Sequence, residues 1–408
     1  MNRFSSPRQI AVAACVCTIA VIENRASATD NSSALYIDDN VTLDSPSDSS
    51  ALFGWSLAAH EGKVLVGGSD DYSYLYDIAG GNELVRLRGD DTRHNDLFGR
   101  AVALSDDYAL VGANQAQAAY VFDAHTGRQI RKYTDPNAPP SNGFGFGTTV
   151  ALSGDFAVIG DRGDNTKGTD AGAAYIFRIS TGQLTRTLLP LGHFAILDRF
   201  GADVDAQGDT LVISAPGANF NSGAAYVYSM STGSLLRTLA PVETVSGFGN
   251  EVVIADGMAI ISASTGNSPG AAFLYDLDSG AMLRKFTSPN PANDVSFGDS
   301  IAFDGRRVLI GSWGEYQEGN YTVGSAYLFD VETGNLLASW LPSELGLFSD
   351  HFGYGVAMDG DYLLASAHRN NGAVYVTVLP EPGSLLLAVW ATALAAGARA
   401  IVFNGRDG

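Results

Sequence analysis

Apolar residues in this chain come in runs of four to six, cut by short polar clusters, and the cuts fall too often for helices. Between residues 98 and 133 the runs are 101–104, 108–112 and 119–123, followed by 128–133, where apolar residues interleave with Arg and Lys. Ser105-Asp106-Asp107 separates the first two runs. Such a cluster of turn formers between apolar runs signals a β-hairpin. Residues 119–123 pass from small side chains to aromatics, which suits a buried strand. Asp123-Ala124-His125-Thr126-Gly127 then supplies a tight turn whose Gly takes the left-handed corner. With no helical period between the runs, the pattern predicts four short antiparallel strands.

The pattern is copied along the chain. Its opening pair Phe98-Gly99 recurs as Phe53-Gly54, Phe146-Gly147, Phe200-Gly201, Phe248-Gly249, Phe297-Gly298 and Phe352-Gly353, with steps of 45, 48, 54, 48, 49 and 55 residues. A period near fifty marks a repeat architecture whose unit cannot bury its apolar face alone. Four antiparallel strands repeated seven times predict an all-β, seven-bladed β-propeller. The first hairpin recurs with Ser153-Gly154-Asp155, Gln207-Gly208-Asp209 and Asp359-Gly360-Asp361, so Asp at this place is turn chemistry rather than a ligand. Arg131, Arg186, Arg237 and Arg284 share one offset from the later turn Gly, where charge is expected to guard an exposed edge strand. The seventh copy stops near Leu379 after three strands, while residues 34–43 precede the first copy with nothing of their own to pair with. That segment is predicted to supply the seventh blade's outer strand and close the ring.

The pattern F-G-x-x-V-A, then Gly112-Ala113 or Ala215-Pro216, then Gly-Ala-Ala-Tyr at 172–175 and 223–226, resembles the FG-GAP repeat of integrin α-subunit β-propellers and their bacterial relatives. The resemblance covers essentially residues 34–379 and implies a propeller used for adhesion or ligand binding. Calcium-binding members carry a D-x-D-x-D-G loop between the first two strands. Here that link is two or three residues long, so calcium is not expected there, nor any other cofactor.

Both ends lie outside the repeats, which gives three parts: 1–28, 29–379 and 380–408. Arg3 and Arg8 precede an apolar run over 10–22, and Ala26-Ser27-Ala28 is a small-x-small cleavage site; together they read as a secretory signal peptide. Cys15 and Cys17 fall within it, so the exported chain has no thiol and no disulfide. At the other end Pro380-Glu381-Pro382, an apolar run over 385–398 and a tail with Arg399 and Arg406 resemble the PEP-CTERM sorting signal. That resemblance implies a Gram-negative-type bacterium, transient membrane association through the C-terminal segment, and trimming by an exosortase-type enzyme. A formal net charge of −20 argues against nucleic acid and anionic membrane surfaces, for which the long-range force is repulsive.

Chemistry is sparse. The six histidines are scattered without a metal-binding spacing, and there is no G-x-S-x-G elbow. What differs between copies is the loop after the second strand, and a repeated scaffold varies where it binds. In the third copy that loop holds Asp161, Asp164 and Asp170, a hard-cation candidate by oxygen count whose spacing is not that of an EF-hand loop. In the sixth it holds Trp313, Glu315, Tyr316, Glu318 and Tyr321, aromatics beside carboxylates that suit stacking on sugars or a peptide. The reading is a non-enzymatic surface propeller that binds an extracellular protein or polysaccharide. The alternative is a propeller enzyme, either polysaccharide-active or quinoprotein-like. The Asp-x-x-Thr-Gly corner resembles that of quinoproteins, although of the outer-strand Trp residues those repeats carry only Trp340 has an equivalent here.

Overall fold

The computed structural model describes residues 35–37, 41–44, 52–68, 71–137, 145–191, 196–243, 245–264, 269–317, 321–340, 351–368 and 372–379. The leader and sorting segments predicted at 1–28 and 380–408 lie outside these residues.

Each copy folds as an antiparallel sheet in chain order. Blade 2, for example, runs Phe98–Leu104, Tyr108–Ala113, Ala118–Asp123 and Gln129–Thr134. The first strands of the other blades are Leu57–His60, Phe146–Ser153, Val204–Gln207, Phe248–Ala255, Ser300–Phe303 and Phe352–Asp359, for blades 1 and 3 to 7. Each first strand contacts that of the next blade, and the seventh contacts the first. The first strands therefore line a central channel and the fourth strands form the rim. Seven clusters of buried apolar side chains occupy the seven blade-to-blade interfaces, each containing the Phe of one Phe-Gly pair.

The Phe-Gly pair has two mechanical duties. Its Phe packs edge-on against third-strand aromatics of its own blade, as Phe98 does on Phe122 at 6.0 Å and 88°. The Phe backbone also bridges to the glycine that opens the preceding blade's third strand, Gly172 to Phe200, Gly223 to Phe248 and Gly324 to Phe352. Its Gly adopts positive φ in all seven copies, between 78° and 95°. Where the pair is part of the first strand, the register slips just after it, as between Phe98 and Ala101. A bulge built on a left-handed Gly re-aims the side chains that follow it.

The N-terminal segment closes the ring as predicted, and it does more. Val41–Asp44 pairs antiparallel with Ala373–Val378 as the fourth strand of blade 7. Leu43 is 1% exposed and packs into the cluster between blades 7 and 1. Leu35–Ile37 pairs parallel to the outer strand Leu336–Trp340 of blade 6. One segment thus fastens two blades.

The four aligned arginines are not edge guards. Arg131 donates to the carbonyls of Ile179 and Ser180 at 3.2 and 3.0 Å, Arg186 to Ser231 at 2.7 Å, Arg237 to Asp278 at 3.0 Å, and Arg284 to Val331 and Thr333 at 3.0 Å each. Each clamps the turn of the next blade, whose glycine lies against the same side chain. The offset that the sequence displayed is an inter-blade device.

Candidate functional site at the channel mouth

The left-handed Gly of each Phe-Gly pair is followed by a residue that turns to the channel. Those residues are Trp55, Arg100, Thr148, Ala202, Asn250, Asp299 and Tyr354, and all seven line one cavity of about 460 Å³. The residues after them, from Ser56 to Gly355, form a second layer of the same wall. A neighbouring cavity of about 560 Å³ shares Arg162, Ala202, Asn250, Asp299 and Trp313 with the first and continues toward Arg199 and Asn221. Both volumes suit a small ligand.

Arg162, Trp313 and His368 follow the second strands of their blades and overhang this ring. Trp313 lies 4.7 Å from His351 and 6.3 Å from Tyr354, ring centre to ring centre, and its indole N–H donates to Asp299. Tyr354 lies 3.8 Å from His368 and 5.6 Å from Trp55, and the Arg100 guanidinium stands 4.4 Å over Trp55. The Trp55 indole nitrogen has no hydrogen-bond partner among the described residues. Blades 6, 7, 1 and 2 thus present an aromatic sector, with arginines beside it.

The opposite wall is acidic, and its carboxylates have structural tasks. Asp203 accepts from Thr149 Oγ1 at 2.7 Å and from the Val252 amide at 2.8 Å, and Asp205 accepts from the Ile254 amide at 2.7 Å. Ser56 and Ser300 donate to the carbonyls of Gly99 and Gly353. These side chains satisfy the free backbone edge of the next blade's innermost strand, which would otherwise go unpaired. Burial pushes Asp205 up to about 7 and raises Asp203, Glu251 and Asp299.

The residues singled out from sequence are dispersed. Trp313 faces the mouth. Glu315 does not: it is buried, and accepts hydrogen bonds from Tyr327 Oη and from Asn290 Nδ2 at 3.0 Å. It braces the blade, which corrects the expectation of a ligand contact. Tyr316 is exposed on a two-residue hairpin in which Tyr321 pairs with Gln317, well placed for solvent but not among the residues lining either cavity. Glu318 lies outside the described residues.

Asp161 and Asp164 do come together, but with Asp135 rather than Asp170, with carboxylate oxygens of all three within 4.8 Å. Asp164 accepts from Tyr175 Oη at 2.6 Å, Asn137 Nδ2 at 3.1 Å and the Thr166 amide at 2.7 Å, and these bonds outweigh its burial to hold its pKa down. Asp161 keeps Oδ2 without a hydrogen-bond partner, and burial together with Asp135 and Asp164 pushes it up to about 7. In the hairpins where calcium-binding relatives would hold their ion, the residues do not fit one: Asp304, for instance, already caps the Arg306 and Arg307 amides at 2.9 and 2.6 Å. Both Asp164 oxygens and Asp161 Oδ1 already accept hydrogen bonds, so the three carboxylates leave fewer free oxygens than the six to eight calcium takes. Melting temperatures in millimolar calcium and in EDTA should therefore agree within about 1 °C.

The raised carboxylates set a pH dependence with a definite sign. Asp161 and Asp205 hold more protons folded than unfolded between roughly pH 4 and 7, so their contribution is full below about pH 4 and lost as pH rises through 7. Asp91, Asp155 and Asp330, held down mainly by hydrogen bonds, work oppositely and lose their contribution below about pH 4. Thermal melts should show the highest Tm near pH 4–5 and a lower one at pH 8, and Asp161→Asn should recover part of the difference. A Tm that climbs from pH 5 to 8 would contradict this.

Residues 82–122, 140–177, 195–228, 283–329 and 345–377 match the FG-GAP repeat family. The chain carries FG-GAP repeats. Every matched stretch ends within a third strand, and the copies at Phe53 and Phe248, which fall outside the matches, fold as four-stranded blades of the same design. Among solved structures the chain is similar to the crystal structure of the computationally designed Ika8 protein, with a TM-score of 0.51 and 18% identity over 80% of this chain and 83% of that one. At that identity the likeness speaks for the fold alone. No curated protein matches the chain.

Proposed function

We propose that this FG-GAP propeller is an exported, non-enzymatic binding protein that seats part of an extracellular polysaccharide at the mouth of its central channel. One observation carries the reading. Phe and Gly are the same in all seven copies, whereas the residue after them is different every time and always lines the cavity. A repeated scaffold that varies at one wall position is varying where it meets a ligand. Trp313, Tyr354 and Trp55 offer ring surfaces for sugars, and Trp is the residue type most enriched among energetic anchors. The wall carboxylates that an acid–base enzyme would use are held by the next blade's amides, which favours binding over hydrolysis.

FG-GAP repeats are typical of extracellular or cell-surface proteins, and export through residues 1–28 with sorting through 380–408 belongs to the same proposal. A glycan and exopolysaccharide binding screen of the propeller, paired with Trp313→Ala, tests it. Loss of at least tenfold in affinity, about 1.4 kcal/mol, is expected. Release of new reducing ends from a bound polysaccharide would instead favour the polysaccharide-active enzyme.

A further inference from the structure

The mouth holds three arginines whose side chains make no hydrogen bond or ion pair among the described residues, Arg100 lying over the Trp55 ring. Arg100 follows Phe98-Gly99 in blade 2, Arg162 follows the second strand of blade 3, and Arg199 immediately precedes Phe200-Gly201 of blade 4. Arg100 and Arg162 line the inner cavity, and Arg162 and Arg199 the outer one. None of the three side chains takes part in an ion pair or donates a hydrogen bond among the described residues, although the chain has 44 acidic residues against 24 basic ones. Eight arginines elsewhere in the ring are engaged, whereas Arg93, Arg128 and Arg306 form only backbone hydrogen bonds among the described residues. Arg131, Arg186, Arg237 and Arg284 bind carbonyls, Arg86, Arg88 and Arg178 pair with acids, and Arg307 bridges Asp304 and Asp361.

Like charges are being held together here at a cost. Burial lowers the pKa of Arg100, with Tyr354 opposing and then Arg162 adding to the drop; burial and then Arg199 lower that of Arg162, with Asp170 opposing. Asp299, an acid of the inner ring, is engaged by the Trp313 indole. Guanidinium groups have a planar fork of donors that matches carboxylate and sulfate geometry. Three of them beside Trp313, which lines both cavities, make a seat with a ring face and an anion-binding edge.

We infer that the ligand of this mouth is an acidic saccharide whose carboxylate or sulfate sits among Arg100, Arg162 and Arg199 while its ring lies against Trp313. This rests on the proposal that the mouth binds polysaccharide, and it narrows the ligand class. It also fits the charge of the chain: with −20 overall, an anionic polymer is admitted only where local cations outweigh the long-range repulsion.

The test uses the full chain and four probes in titration calorimetry: a uronate oligosaccharide, its methyl-esterified neutral counterpart, a sulfated oligosaccharide, and a poly-aspartate peptide. The acidic saccharides are expected to bind at least tenfold more tightly than the ester, to weaken as salt rises, and to lose about tenfold or more in Arg100→Gln and Arg162→Gln. Thermal melts within about 2 °C of the parent show that those two variants are folded, and the ester should lose less affinity in them than the acids do. Arg162→Lys, which keeps the charge but not the fork, should fall between. Whichever of uronate or sulfate binds tighter identifies the anionic group. Equal binding of ester and acid, unchanged by the Arg variants but lost in Trp313→Ala, would overturn the acidic class and leave the mouth in place. Binding that survives Trp313→Ala as well would overturn both. A peptide that binds as tightly as the saccharides would overturn the saccharide assignment.

Discussion

Deleting residues 29–44 should lower the stability of the whole ring by about 5 kcal/mol or more, a fall in Tm of roughly 5–10 °C, and make the protein aggregate. The deletion removes Leu43 from the interface between blades 7 and 1, and a buried Leu→Ala change alone costs about 2–5 kcal/mol. It also bares the edge of Ala373–Val378, a β-branched strand ready to pair with another chain. Because each blade packs only on its neighbours and the ring closes through this segment, loss at one interface loosens its circle. Leu43→Ala should give about half the effect without the aggregation. Thermal melts with light scattering decide it; an unchanged Tm after the deletion would mean that the ring closes by other contacts.

Gly172→Val should be the most damaging single change in a blade joint. The glycine sits at φ +86°, and a Cβ there would lie 2.0 Å from the Phe200 carbonyl oxygen of the next blade. Left-handed backbone costs a β-branched residue about 1–3 kcal/mol, and the clash adds to it by pushing two blades apart. We expect more than about 4 kcal/mol in total, read as a large fall in Tm and in soluble yield. Gly154→Ala is the control, since Gly154 also has positive φ, +54°, but nothing within 4 Å. If the two variants melt alike, the close approach between blades is not what makes that glycine necessary.

The same joint shows what could be read from the chain and what could not. Period, strand pattern and turn residues are local properties, so the seven blades and the closing role of the segment before Phe53 were legible. That the segment splits, with Leu35–Ile37 going to blade 6, was not, because three residues carry no pairing preference of their own. The arginine offset was visible, yet its meaning depends on the neighbouring blade. Asp135 was missed as the companion of Asp161 because it belongs to the connection from blade 2, where only the fold brings it close. Glu315 was misplaced for a related reason: a carboxylate next to Tyr316 reads as surface until Tyr327 and Asn290 are seen to enclose it. The mouth itself did have a signal. The residue after each Phe-Gly is the variable neighbour of an unvarying pair, a contrast less conspicuous along the chain than the length of the loops.

The ring of residues after Phe-Gly, with Trp313 above it, is the proposed seat of the ligand. Intrinsic tryptophan fluorescence tests it most directly, because Trp55 and Trp313 lie at the mouth while Trp340 is 1% exposed between blades 6 and 7. Titrating the saccharide that scores highest in the binding screen should shift or quench the emission. The account predicts that Trp313→Phe removes most of that change and Trp340→Phe leaves it intact. A full response persisting in a Trp55→Phe, Trp313→Phe double variant would place the ligand elsewhere on the propeller and contradict the account.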